Sequence, residues 1–446
     1  MKFGHEKTHR HITSFQVIFL GFFLVILTGA LLLMLPVSSR AGVFTPFSDA
    51  LFTSTSAVCV TGLVVQDTAT YWSLFGQFII MLLIQIGGMG VVTLAVTLVV
   101  ISGRKIGLMQ RSTMQEAIAA PQIGGIVRLT GFIMRTILMI EGIGALSLSL
   151  VFVPEFGFLK GIWYSVFHSV SAFCNAGFDL MGVKSQFSSL TSYVSNPIVN
   201  LTIMSLIVVG GIGFLTWDDI KTNGRNLHKY RVQSKIILTV TAALILGAAA
   251  YFFFFEFSGL PLKERLLASF FQSVTPRTAG FNTVDLNGLS EVGQLLLVIL
   301  MVTGGSPGST AGGMKTTTVA VILATALAVF HKEDEAHMYG RRIPMEAVKN
   351  AATILMMYVV LFITGGMIIC RVEGVPLMAA LLETSSAIGT VGLSLGITPG
   401  LGGVARAVLI FLMFFGRVGG LTIVYAAVTE RRSGGSRYPM GKITVG

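Results

Sequence analysis

Apolar runs of membrane length recur along the chain, near residues 14–35, 74–101, 129–153, 197–217, 234–257, 291–330, 350–371 and 404–428. An α-helix needs roughly 20 apolar residues to cross a hydrocarbon core, so the pattern predicts eight crossings, the sixth of them interrupted. Between the members of each successive pair lies a stretch too short and too mixed to span. These stretches read FSDALFTSTSAVCVTGLVV, WYSVFHSVSAFCNAGFDL, LLASFFQSVTPRTAGFNTV and LMAALLETSSAIGTVGLSL. Each predicts a half-length apolar helix followed by a Ser/Thr-rich turn that contains a glycine.

Laid over one another, the four stretches share a glycine at Gly62, Gly177, Gly280 and Gly392, with spacings of 115, 103 and 112 residues in a chain of 446. A fixed period of this kind marks an internal repeat. The predicted fold is an all-α membrane protein of four M1–P–M2 repeats (helix, re-entrant pore loop, helix) around a pseudo-fourfold pore. The repeats run 1–126 (pore loop 46–66), 127–232 (161–180), 233–345 (263–284) and 346–446 (376–396), with a short cytoplasmic C-terminal tail. Two crossings per repeat bring all four loops in from the same outer side, where they can surround one axis. Inverted repeats, frequent in secondary transporters, would place them on opposite faces.

Composition agrees with a membrane protein and removes other classes. Hydrophobic residues make up 53% of the chain and charged residues 11%, against about 25% charged in soluble proteins. The excess of 31 basic over 20 acidic residues predicts no nucleic-acid partner. Instead 21 Lys and Arg fall on one side of the predicted crossings and 8 on the other. By the positive-inside rule both termini are cytoplasmic. The first apolar run reads as a crossing rather than a signal peptide, being long and lacking a small-residue cleavage site. Cys59, Cys174 and Cys370 form no disulfide framework.

Irregular backbone is tolerated at membrane depth only inside protein or along a water-filled path. The candidate selectivity filter comprises Val58-Cys59-Val60-Thr61-Gly62, Phe173-Cys174-Asn175-Ala176-Gly177, Pro276-Arg277-Thr278-Ala279-Gly280 and Ile388-Gly389-Thr390-Val391-Gly392. Their mostly apolar or small side chains leave backbone carbonyls as the main polar groups facing the axis. Glycine permits φ > 0, so successive carbonyls can turn the same way. Four such strands make stacked oxygen rings that replace the hydration shell of a monovalent cation. The half-helices would end near the bilayer centre, and their negative dipole ends also favour a cation.

On these four repeats, each with one glycine per loop, the chain resembles the superfamily of K⁺ transporters that includes the Trk, Ktr and HKT proteins. Eight crossings without an extra N-terminal helix pair are similar to the Ktr membrane subunit. The resemblance covers essentially the whole chain. It implies K⁺ uptake, often Na⁺-stimulated, through a pore in each protomer of a homodimer in a bacterial plasma membrane. It also implies a cytosolic nucleotide-binding ring subunit (KtrA type) that gates the dimer, so a nucleotide is expected on that partner and no cofactor in this chain. In plant members, the resemblance suggests, serine at the first loop's glycine accompanies Na⁺ preference; Gly62 here implies K⁺. The loops depart from the TVGYG of potassium channels, keeping only its first glycine.

Gly304-Gly305-Ser306-Pro307-Gly308-Ser309-Thr310-Ala311-Gly312-Gly313 interrupts the sixth run. Glycine costs about 1 and proline about 3 kcal/mol in a helix interior, so this segment predicts a loop at membrane depth, just below the third filter strand, and we read it as a gate. The resemblance agrees, its intramembrane loop lying here. Lys315 ends the loop and either snorkels or takes part in gating. Arg417 lies in the last run; a charge at mid-bilayer is usually functional or paired. It is expected below the filter, either repelling cations and holding the gate through carbonyls or tying helix ends together.

Other features predict packing or solvation. Cys59 and Cys174 share a place that holds Arg277 and Gly389 in the other loops, which argues against a metal site. Arg277 is expected to point backwards to an acid such as Glu383 or Asp67. His168 is expected to be a satisfied half-helix residue, and His5, His9 and His11 a solvated tail. Asp49, Asp67, Asp179, Asp285 and Glu383 fall near the outer mouth, either concentrating cations or as solvated loop charges. The glycine pairs 87–88, 210–211, 304–305 and 419–420 suit close helix packing. Loops 104–128, 218–235 and 331–349 offer a basic docking surface, and residues 441–446 a segment for a dimer interface. The rival reading, an alternating-access transporter coupling K⁺ to Na⁺ or H⁺, would want intramembrane carboxylates, and Glu141 is the sole acid placed deep in a run. Paired acids, metal ligands or a nucleophile–base set for an enzyme are not evident.

Overall fold

The computed structural model describes residues 13–95, 107–118 and 125–427. Among them, regular structure is helical apart from a hairpin pairing His337–Met338 with Arg341–Arg342. The N-terminal and C-terminal tails, with His5, His9, His11 and residues 441–446, lie outside the described residues, as does part of loop 104–128.

Among the described residues four unbroken helices are long and apolar enough to cross a membrane: Ser14–Met34, Ile126–Phe156, Val232–Glu256 and Met345–Glu373. We term these the outer helices. The first opens on a capping box, in which Thr13 and Gln16 satisfy each other's backbone N–H groups. The outer helices expose Leu24, Leu31, Leu146, Leu150, Phe254, Phe255, Met356 and Met367. A continuous apolar surface of this kind suits contact with lipid rather than water.

Each outer helix is followed by a short helix, Phe47–Val58, Phe158–Phe173, Leu262–Val274 or Leu377–Gly389. Apart from Phe270, these half-helices are buried in their last two turns despite a high content of Ser and Thr. The hydroxyls explain how. Ser54, Ser169 and Thr384, each eight residues before a shared glycine, donate to carbonyls of their own outer helix at Ile26 (2.7 Å), Glu141 (2.6 Å) and Phe362 (2.9 Å). In the third half-helix the same place holds Gln272, whose buried amide finds no partner.

After each glycine loop comes an inner helix: Leu74–Met89, Pro197–Gly211, Glu291–Val302 and Gly403–Val418. Ser73, Asn196 and Ser290 cap the first three. Contrary to expectation, all four inner helices break, not the third alone. Gly90, Gly213 and Gly419, at φ 83°, 92° and 93°, interrupt the first, second and fourth. Helix then resumes at Val91, Phe214 and Gly420. The second inner helix and its continuation Phe214–Asn223 meet at 95°. In the third, the single glycine is replaced by a segment from Thr303 to Lys315 before helix returns at Thr316–Phe330.

The register of the glycine pairs also differs from expectation. Gly87, Gly210 and Gly416 each press against a carbonyl in the last two residues of a half-helix, at Val58, Phe173 and Ile388, so closely that a Cβ would overlap the oxygen. The fourth counterpart of Gly87-Gly88 is therefore Gly416-Arg417, not Gly419-Gly420. Arg417 stands where the first two repeats have a second glycine.

Candidate ion pathway

The four glycine loops form a closed cycle. A Cβ on Gly62 would overlap the carbonyl oxygen of Ala176, one on Gly177 that of Ala279, one on Gly280 that of Val391, and one on Gly392 that of Thr61. Each glycine thus lies flat against the residue preceding the next glycine, and the fourth returns to the first. The conformation repeats too. Val60, Asn175, Thr278 and Thr390 have φ of 52°, 58°, 89° and 52°, and the glycines two residues on have φ of 88°, 68°, 80° and 94°. A left-handed φ is a genuine outlier for a β-branched residue, and three of the four are Val or Thr. Four copies of the same strained alternation mean that the surroundings over-determine it, which is characteristic of functional backbone.

The restraints are visible. Thr61, Ala176 and Val391 donate their N–H groups to the carbonyls of Ser56, Ser171 and Ser386, each at 2.8 Å, and Gly280 donates to Thr275 at 3.3 Å. The same hydroxyl residues bind the loop again. Ser56 and Ser386 accept the N–H of Gly62 and Gly392 at 3.0 Å, while Ser171 and Thr275 donate to the carbonyls of Phe178 (2.7 Å) and Phe281 (2.8 Å). These four residues were not among the predicted site residues. Their signal was a hydroxyl five or six residues before each glycine.

Side chains beside the loops pack outward. Cys59 and Cys174 are buried free thiols, the second within 3.6 Å of Gln85 Oε1 and 3.9 Å of Glu141 Oε1. Glu141 also accepts Gln85 Nε2 at 3.3 Å. His168 is satisfied at both ring nitrogens, by the Tyr164 carbonyl (2.7 Å) and the Leu180 N–H (3.3 Å). Arg277 points away from the ring, but its partner is Thr241 Oγ1 at 3.2 Å on the third outer helix, not Glu383 or Asp67. Those acids are engaged elsewhere. Glu383 accepts the Thr398 hydroxyl, and Asp67 accepts the N–H groups of Ala69, Thr70 and Phe187.

On one side of the ring the four glycines floor a cavity of about 130 Å³, also lined by Asp67, Asp179, Asn282 and Ser394. Asp49 is no free surface charge: Arg406 holds it at 2.6 Å, joining the first half-helix to the fourth inner helix. Asp285 caps a short turn at Asn287. On the other side a second cavity, about 320 Å³, is lined by Gly88, Pro307, Gly308, Lys315, Tyr358 and Arg417.

The segment Thr303–Lys315 lies between the two. Its ends meet in a bridge between Thr303 and Met314, and Gly304, Gly305, Ser306, Thr310, Ala311, Gly312 and Gly313 are buried, with Pro307, Gly308 and Ser309 partly so. Ser306 and Thr310 donate their N–H groups to Gly211 (3.1 Å) and Gly210 (3.2 Å), and Gly313 donates to Gly416 (3.1 Å). Thr310 Oγ1 accepts Asn175 Nδ2 at 2.8 Å and donates to the Phe173 carbonyl at 3.0 Å. Two residues further on, Gly312 meets the Thr390 side chain and Gly313 the Gly389 carbonyl. The cycle of glycine contacts places the second and fourth loops opposite one another, so Thr310–Gly313 runs across the central axis directly beneath the ring. Arg417 completes this layer, donating to the carbonyls of Thr310, Gly87 and Gly88. Lys315 folds back onto Ala311 (2.9 Å) and Gly312 (3.4 Å) rather than extending away from the loop. Among the described residues no group of His, Cys, Asp and Glu could hold a metal ion.

Comparison with known proteins agrees with this architecture. Residues 2–436 match the model of the TrkH family, described as cation transport proteins. The chain is 41% identical to a potassium/sodium uptake protein, NtpJ, of Enterococcus hirae, over 99% of both chains. It is 40% identical to the Ktr system potassium uptake protein B of Bacillus subtilis, over 97% of this chain and 96% of the other. The crystal structure of the potassium transporter TrkH from Vibrio parahaemolyticus superposes with a TM-score of 0.72 at 20% identity, covering 94% of this chain and 86% of that one. The chain belongs to the TrkH family of cation transport proteins.

Proposed function

We propose that the protein takes up K⁺ across the cell membrane through a channel-like path along the axis of the four glycine loops. The repeats predicted at 1–126, 127–232, 233–345 and 346–446 then form one pore of eight crossings, four of them broken. The observation that carries the reading is the closed cycle of glycine-to-carbonyl contacts, with the same left-handed alternation in each loop. Such a cycle aligns rings of backbone oxygens that can replace the water around a monovalent cation. The half-helices point their carbonyl ends at the same axis, adding favourable potential for a cation.

In this reading the segment Gly304–Gly313 is the gate, because it crosses the axis between the two cavities. Arg417 sets the barrier, since its charge sits against that segment with carbonyl partners and, among the described residues, no carboxylate. The relatives named above support K⁺ as the cargo, with Na⁺ as a stimulating or second ion. The relative named for a Ktr system supports a multi-component uptake system; in this reading the further component is a cytosolic nucleotide-binding ring, the chain is a homodimer and both termini are cytoplasmic. The basic docking surface would be narrower than charge counting suggests. Arg231 is paired with Asp218 and Asp219, and Arg342 with Glu335, while Arg111, Arg128, Lys221, Arg225, Lys229, Lys332, Arg341 and Lys349 are exposed.

The test is K⁺ uptake into liposomes holding the purified protein, driven by a K⁺ gradient alone with Na⁺ and pH equal on both sides. A channel-like path carries K⁺ under these conditions. Uptake that requires a Na⁺ or proton gradient would replace it with coupled transport.

A further inference from the structure

The segment Thr310–Gly313 touches the second and fourth loops at the residue whose left-handed φ orients the neighbouring carbonyls. In the second loop that residue is Asn175 (φ 58°), whose Nδ2 donates to Thr310 Oγ1 at 2.8 Å. In the fourth it is Thr390 (φ 52°), against whose side chain Gly312 packs without room for a Cβ. For Thr390 the left-handed region costs about 1–2 kcal/mol and persists only where its surroundings impose it, whereas asparagine enters that region more readily. The shorter of the two Asn175 Nδ2 hydrogen bonds goes to the segment, the other reaching the Phe173 carbonyl at 3.5 Å, while its Oδ1 is buried without a partner.

We propose that the segment holds the shape of the ion-selecting loops as well as closing the path, so that Asn175, acting through Thr310, is a positioning residue for ion specificity. The proposal rests on the pore reading above. Displacing the segment leaves the Asn175 Nδ2 with only its 3.5 Å bond to the Phe173 carbonyl, and the second loop loses a restraint on its carbonyls. Discrimination between K⁺ and Na⁺ then depends on the same contact that holds the segment in place. A loop that merely blocked the path would have no need of a hydrogen bond to a filter side chain.

The test compares initial K⁺ and Na⁺ uptake rates of the full-length protein in liposomes for the wild type, Thr310→Val and Thr310→Ser. Thr310→Val keeps the shape and removes the hydroxyl; it should lower the K⁺-to-Na⁺ ratio about fivefold, the worth of one neutral hydrogen bond. Thr310→Ser, which retains the hydroxyl, should restore the ratio. If Thr310→Val changes both rates by the same factor, or neither, the coupling is refuted while the pore reading stands. A wild type without K⁺ preference would remove the pore reading itself. Should Thr310→Val fail to assemble, Asn175→Ala carries the same expectation and the same refutation.

Discussion

Replacing Arg417 by glutamine removes a positive charge from beneath the ring and loosens the segment that crosses the axis. Both effects push in one direction. The guanidinium contacts the carbonyl of Thr310, a residue that lies across the axis, so a cation on that axis passes at roughly 6–8 Å, one hydrogen bond plus the width of the backbone. At an effective dielectric constant of about 20, the repulsion at that distance is about 2 kcal/mol. Removing it should raise K⁺ flux about thirtyfold. The tether adds to this, because Arg417 also holds Gly87 and Gly88 and thereby ties the segment to the first inner helix. Arg417→Lys separates the two contributions: it keeps the charge and cannot bridge in the same planar fashion. Initial K⁺ uptake into liposomes at matched protein density should rise most for glutamine and less for lysine. Equal gains for the two variants would assign the barrier to the tether. No gain in either, with wild-type elution and thermal midpoint, would refute the assignment of Arg417 to the barrier.

Two further outcomes follow from packing. Gly210→Ala forces a Cβ into the Phe173 carbonyl and close to Thr310, which should cost about 1–3 kcal/mol; a lowered thermal midpoint together with reduced K⁺ uptake checks it. Arg406→Met strands Asp49 without its ion-pair partner and should destabilise the closure between the first and last repeats by about 2 kcal/mol, less than a fully buried pair would lose. The double variant with Asp49→Asn should recover part of that loss, and strict additivity of the two single effects would show that the pair does not couple.

The sequence was informative where the signal was local and repeated. The half-helices Phe47–Val58 and Leu377–Gly389 follow Pro46 and Pro376, and the glycine that ends each loop stood out through its spacing. The left-handed backbone at Val60, Thr278 and Thr390 was not legible, because β-branched residues carry the opposite preference. It is imposed by hydrogen bonds from the half-helix ends and by the neighbouring loops. The breaks at Gly90, Gly213 and Gly419 were hidden for a different reason. One glycine inside an apolar run is ordinary in membrane helices; only its recurrence three residues after the glycine packed on a half-helix end distinguishes it. The partner of Arg277, Thr241, lies 36 residues back on the third outer helix, and those of Arg417 lie on other repeats, at Gly87, Gly88 and Thr310; no local pattern encodes them. The burial of Asp49 against Arg406 is likewise a contact between the two ends of the chain.

The most direct measurement of the central claim is K⁺ uptake with Na⁺ as competitor, comparing wild type with Gly62→Ser. Gly62 has φ 88°, and any Cβ there meets the Ala176 carbonyl of the neighbouring loop, so serine must displace an oxygen of the ring. A wild type that prefers K⁺, and a correctly assembled Gly62→Ser that has lost the preference, is the predicted result. A Gly62→Ser protein that discriminates as well as the wild type would contradict selection by the ring.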